Sequence, residues 1–366
     1  MRFSINRRRF MQLTSSAAAA GALSVASRAT AQSSDELRVV VGGGAWGKAN
    51  IDAYVTPFQA ETGIKVAPIT DEVGLAQLEL MVPQNNITVD VTVMSQGNAF
   101  IADSKGLLEE IDYSIYNKSE LDSLIDYCKQ PFGLASLFYS FNLVYNTERY
   151  PAGKPRPSTW ADFWDVKGFP GVRFLRTGED GLGPWEEALL ADGVGVDAIY
   201  PMDIDRVFHS LDKIKPHIRK WWQYGSEVQQ LLHDTAGDLY QSYDGRALLS
   251  IDQGIPVEIS RDQAKLQWDY WVIPKGIPNA QNAQKFIEFT SRADRQAAFT
   301  HLFPEGPTNR KVFKAIPEKL ARKLPTYPDY MANSIVVDTR WYSEVGADGL
   351  RNTERLIQRW NEWVLQ

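Results

Sequence analysis

Apolar positions along this chain switch repeatedly between the two-residue period of strands and the period of about 3.6 of helices. Leu37-Arg38-Val39-Val40-Val41 reads as a strand and stops at Gly42-Gly43-Gly44. Ile51, Tyr54, Val55 and Phe58 then recur at the i, i+3, i+4, i+7 spacing of one helix face. Gly63 stands at the position where helices commonly end. Ile64-Lys65-Val66 is a second strand, and Val89-Asp90-Val91-Thr92-Val93 a third, closed by Ser95-Gln96-Gly97. Further strands are expected at Leu143-Val144-Tyr145, Val172-Arg173-Phe174-Leu175, Ala247-Leu248-Leu249-Ser250-Ile251 and Trp268-Asp269-Tyr270-Trp271-Val272-Ile273. Asn279 is a candidate N-cap for a helix with Ala283, Phe286 and Ile287 on one face, and Leu356, Trp360 and Trp363 mark a closing helix. Strand-helix-strand order predicts α/β architecture with parallel strands and covering helices.

The N-terminus follows a different rule. Arg2, Arg7, Arg8, Arg9 and Arg28 are the charges of residues 1–31, which carry no acid and end in Ala29-Thr30-Ala31. A basic start, a mild apolar stretch from Ala17 to Ala26 and an A-x-A site describe a secretory signal cleaved near Ala31. Arg7-Arg8-Arg9-Phe10-Met11 resembles the twin-arginine export pattern, with Asn6 where Ser or Thr is usual, so general secretion stays open. Removing this segment shifts the net charge from −6 to −11, because it takes five arginines with it. At 366 residues the chain is long enough for two domains at roughly 150 residues each. No polybasic stretch follows the leader, which argues against nucleic acid. One cysteine, Cys128, excludes a disulfide framework, and His209, His217, His233 and His301 show no metal-ligand spacing.

Candidate chemistry lies at strand ends. Gly42 to Lys48 has the G-x-x-x-x-G-K outline of a phosphate loop, but Ala49 stands where a hydroxyl must hold Mg²⁺. A ligand loop after the first strand fits better, with Trp46 offering a ring face; a plain turn is the alternative. Val93-Met94-Ser95-Gln96-Gly97 lacks the first glycine of a nucleophile elbow, and leaves Ser95 and Gln96 as polar groups at a strand end. Trp46, Tyr139, Tyr243 and Trp268 are candidate walls for a cationic amine or a sugar. Asp269 sits amid Trp268, Tyr270 and Trp271, where an ionised carboxylate is costly without a partner. Arg246, in Tyr243-Asp244-Gly245-Arg246, is either that partner or a separate anchor for a ligand carboxylate. The two-anchor reading expects Arg246→Ala to weaken an amino-acid ligand by about 2–5 kcal/mol while sparing a diamine.

Together these residues resemble the spermidine/putrescine-type family of periplasmic solute-binding proteins. The marks run in order through nearly the whole chain after the leader. They are Pro57-Phe58 to Thr62-Gly63, Gly106-Leu107-Leu108, Tyr145-Asn146-Thr147, Ser158-Thr159-Trp160-Ala161-Asp162-Phe163-Trp164, Phe169-Pro170-Gly171, Asp269 to Gly276, and Gly306-Pro307-Thr308-Asn309. The resemblance implies that Asp269 grips an amine and that Tyr243 flanks an alkyl chain. It aligns Glu179-Asp180 only loosely with a further acid of the site. A ligand set of Trp46, Gln96, Tyr139, Asp180, Tyr243, Arg246 and Asp269 follows.

The implied fold is the type II periplasmic-binding-protein architecture: two α/β lobes, each a mainly parallel sheet flanked by helices. Lobe one would hold 32–138 plus 270–308, and lobe two 139–269 plus 309–366. Crossing segments near 137–142 and 266–272 would join them. The implied function is the binding subunit of an ABC importer for a polyamine or ω-amino acid. It would be a periplasmic monomer without cofactor or metal, partnered by a permease and an ATPase. Alternatives are a sugar or carboxylate ligand, or a periplasmic hydrolase, against which the absence of a nucleophile–base pair counts. Ferric-ion binding on a similar fold would want adjacent tyrosines, and none occur.

Overall fold

Residues 36–366 are described by the structure, a computed structural model; the leader expected over 1–31 lies outside them. The first strand, β1 (Glu36–Val40), pairs in parallel with β2 (Lys65–Ile69). Between them runs one continuous helical stretch, Gly44–Thr62, with a π-turn at Ile51–Val55. Tyr54, Val55 and Phe58 are buried as their spacing predicts, and Gly63 ends the helix at φ 73°. Val91 bridges β1 just ahead of β3 (Thr92–Ser95), slightly later than the expected strand.

The remaining strands form one sheet: β4 (Lys129–Gln130), β5 (Gly133–Asn146), β6 (Arg173–Arg176), β7 (Ile218–Trp222), β8 (Leu239–Tyr243), β9 (Val257–Ile259), β10 (Lys265–Val272) and β11 (Ile335–Val336), with β3 on β10. Pairs β6/β7, β6/β8 and β10/β11 are parallel, as βαβ order requires. The long strands β5 and β10 differ. They run antiparallel to each other, from Lys265↔Phe141 to Trp271↔Leu134. β10 also pairs antiparallel with β3, and β5 with β8 and β9. The segments expected to cross, 137–142 and 266–272, lie within these two strands.

The core divides along β5. Leu134, Leu137 and Phe138 pack with β1, β3 and the helix Ala280–Ser291. Phe141, Leu143 and Val144 pack with β6, β8, Trp185, Trp222 and Trp360. Two hydrophobic bodies therefore share two strands, with Tyr139 and Ser140 at the handover. After residue 309 the chain does not pass directly to the second body. Asn309 Nδ2 donates to Glu120 and to the Ser291 carbonyl, and Val312 packs near Ala297; Ile335 is the first later residue in the core with Leu143.

One element differs from the expected pattern. Residues 247–251 are not a strand but part of a helix, Asp244–Asp252. Ala247 and Leu248 are buried and Leu249 is exposed, a helical face that a five-residue apolar run does not reveal. The strand there is β8, whose Gln241 and Ser242 are buried polar residues and so hide it from an apolar scan.

Candidate functional site

Four strands deliver residues to one place through their carboxyl ends, where open α/β sheets bind ligands. β1 runs into Gly42 and Trp46, whose ring lies so close to Gly42 that a Cβ there would come within 2.7 Å of it. β3 runs into Ser95 and Gln96, and Gln96 is buried with Nε2 unpartnered. β6 ends in Arg176, and β8 in Tyr243. The crossing strands add Tyr139 from β5 and Asp269 from β10; Asp269 pairs across the backbone with Ser95, and Gln267 with Tyr139. Side chains alternate along β10. Lys265, Gln267 and Asp269 share one face, while Leu266, Trp268 and Tyr270 join the core on the other. Trp268 is thus a core residue against Tyr127 and Phe138, not a wall of the cleft.

Tyr139 and Tyr243 stand 6.0 Å apart, and Tyr243 packs 4.4 Å from Phe141 and 5.7 Å from Trp222. A cavity of about 290 Å³ opens beside Tyr139, lined by Gln96, Asp180, Lys265, Gln267 and Tyr342 among others. That is the small end of the roughly 300–1,000 Å³ range for small-molecule sites.

The charges are arranged asymmetrically. Asp269 makes no ion pair among the described residues. Burial, and then the charge of Glu72, push its carboxyl up to about 6. Glu305 is pushed well above the usual carboxylate range by burial and then by Asp244 and Asp269, with Trp46 pulling the other way. Arg176 is buried against the faces of Phe141 and Trp222 at 5.7 and 5.8 Å. Its Nη1 donates to Asp180 Oδ1 at 2.7 Å, its Nη2 also pairs with Asp180, and its Nε is unpartnered. Burial alone would lower the Arg176 pKa; Asp180 and Tyr243 more than reverse that and hold it charged.

Behind Arg176 lies a buried network. Lys265 Nζ donates to Glu186 at 3.1 Å and Glu187 at 2.9 Å. Glu186 also accepts from the hydroxyls of Tyr200 and Tyr342. Burial opposes its charge, but Lys265 and these two phenols hold its pKa low, whereas burial pushes that of Glu187 up. Gln241 links Glu187 to the backbone N–H of Arg176.

The expected set therefore divides. Gln96 and Tyr139 line the cavity, whereas Tyr243 and Asp269 neighbour Tyr139, and Trp46 neighbours Glu305, outside that lining. Asp180 sits on the same side but is engaged by Arg176. Arg246 is corrected: it is exposed, lies in the first turn of Asp244–Asp252 and donates to Gln229 at 2.7 Å, and it makes no salt bridge to Asp269. The buried arginine beside Tyr243 and Asp180 is Arg176. It was missed although its strand was found; a charge at the carboxyl end of a strand was the available signal. Glu305 was missed too, and no local pattern singles it out.

Two hydrophobic bodies sharing two strands, with unpaired polar groups between them, define a two-lobe solute-binding protein. The chain belongs to the bacterial extracellular solute-binding proteins, whose family profile matches residues 53–327. It is 31% identical over 349 residues to the gamma-aminobutyric acid-binding protein of Pseudomonas aeruginosa, covering 93% of this chain and 94% of that one. An ABC transporter substrate-binding protein from Bradyrhizobium japonicum matches with TM-score 0.80 at 31% identity, over 90% of this chain and 99% of the other. A solved GABA receptor matches with TM-score 0.77 at 31% identity, over 90% and 97%. This is the ABC-importer class of solute-capturing protein that the sequence marks resemble.

Proposed function

We propose that this protein captures an ω-amino acid of the gamma-aminobutyrate type and presents it, chemically unaltered, to an ABC permease and its ATPase. The observation that carries this reading is a pair of buried charges near Tyr139 and Tyr243: Asp269 without a cation partner, and Arg176 held charged by Asp180. An ammonium completes Asp269, which burial otherwise penalises. A ligand carboxylate is drawn to the charge of the Arg176 guanidinium, which Asp180 engages in the unliganded protein. Trp46, Tyr139 and Tyr243 flank the alkyl segment, and Gln96 supplies an N–H. The names of the Pseudomonas relative and the GABA receptor agree with this chemistry. A diamine fits less well, because Arg176 repels its second charge. No nucleophile–base pair is part of this reading, so turnover is not expected.

The acidic chain would work as a monomer in the periplasm after export and cleavage near Ala31, with no affinity for nucleic acid. Closure of the lobes about β5 and β10 would exclude water and strengthen both charged contacts. A thermal-shift panel of ω-amino acids, diamines, dicarboxylates and sugars tests the ligand class. A ligand at 100 times its Kd adds about 2.7 kcal/mol of stability. Gamma-aminobutyrate and its homologues should raise the melting temperature, and a response confined to sugars or dicarboxylates would overturn the reading.

A further inference from the structure

Glu305 belongs to no motif and no ion pair among the described residues, yet the fold fixes it firmly. The next residue, Gly306, exchanges two backbone hydrogen bonds of 2.8 Å with Phe138, at the handover point of β5. A Cβ at Gly306 would come within 2.9 Å of Phe138 Cβ and Thr326 Oγ1, so the segment can lie this close only as glycine. Glu305 is thereby held beside Tyr139. Its Oε2 is buried and unpartnered.

The groups that face it are acidic or neutral: Asp269 from β10, Asp244 from the helix after β8, Tyr139 from β5, and Trp46 and Tyr54 from the first helical stretch. The nearby cation, Arg261, is turned to Asp244 at 3.6 Å. Asp269 in turn faces Glu72, Tyr139, Tyr243 and Glu305. This corner of the cleft is rich in carboxylates, and neither Asp269 nor Glu305 makes an ion pair among the described residues.

We infer that Glu305, set opposite Tyr139 with its Oε2 buried and unpartnered, is a second anchor for the ligand's ammonium, sharing it with Asp269. An ammonium has three donors, more than one carboxylate uses in a compact geometry. The balance is simple: the protonated Glu305 and the ammonium become a carboxylate–ammonium pair, and one proton goes to solvent. The burial and like charge that keep Glu305 neutral in the free protein are offset by the arriving cation. Affinity should therefore rise with pH until Glu305 ionises in the free protein as well.

This inference rests on the amine reading above, and the experiment separates the two. Gamma-aminobutyrate, 5-aminopentanoate and putrescine are titrated calorimetrically into the protein at pH 7.5, in phosphate and in Tris, whose ionisation heats differ. Wild type should release up to one proton per amine bound. Glu305→Gln should weaken binding about tenfold and abolish the release, while its unliganded melting temperature stays equal or rises. Should Glu305→Gln not fold, Glu305→Asp serves: the release persists and only affinity falls. Unchanged affinity and proton release in Glu305→Gln, with Asp269→Asn still losing the amine, would overturn the role of Glu305 alone. No binding of any of the three amines to wild type would overturn both readings.

Discussion

Replacing Asp269 by asparagine separates two effects of one carboxylate. Its folded pKa of about 6 lies above the unfolded value near 3.9, so the native state binds more protons than the unfolded one between those pH values. Stability contributed by this site is intact at pH 4 and falls as pH rises through 6. Asp269→Asn should therefore raise the melting temperature of the unliganded protein at pH 7, and the gain should vanish at pH 4. Amine affinity should move oppositely, falling in the variant. Protonation of Asp269 by itself should take about a factor of ten off the affinity between pH 7 and pH 5, a drop read in isolation in the Glu305→Gln variant. At the other anchor, Arg176→Ala should cost an ω-amino acid about 2–5 kcal/mol, measured by calorimetry, while a diamine loses little. Arg176→Lys keeps the charge but not the fork and should recover only part. Arg246→Ala, which touches Gln229 at the surface, should leave affinity nearly unchanged; a loss as large as that of Arg176→Ala would return Arg246 to the site.

At the scale of elements, β10 carries two kinds of charge on one face. Asp269 waits for a partner, whereas Lys265 already has two in Glu186 and Glu187. Removing one member of such a buried group leaves uncompensated charge, which costs about 3–5 kcal/mol. Lys265→Met should lower the unfolding free energy by that amount, read from the denaturant midpoint and slope. Adding Glu186→Gln and Glu187→Gln should recover much of it, a non-additivity that a double-mutant comparison would read directly. Because Gln241 ties Glu187 to the backbone of Arg176, the single variant should also loosen the carboxylate anchor. Alternation alone made β1, β6 and most of β10 legible, since their apolar residues face cores. It failed at β8, where the tertiary fold surrounds Gln241 and Ser242 with partners and lets polar residues occupy a buried strand.

For the whole molecule, ligand-driven closure about β5 and β10 should reduce the radius of gyration in X-ray scattering when gamma-aminobutyrate is added. An unchanged value at saturation would mean that the cleft binds without hinge motion. The sequence by itself determined the α/β class, the two-lobe architecture and the family, because these rest on local periods, turn residues and short motifs. Only tertiary structure decided which arginine is buried among the aromatic rings. Arg176 and Arg246 both stand close to strand ends, and nothing local tells them apart. Pairing of β6 with β8 turns one inward against Phe141 and Trp222. The first turn of a helix points the other out to Gln229 and water. Charge acts through space, and the chain's order along itself does not fix which charges end as neighbours.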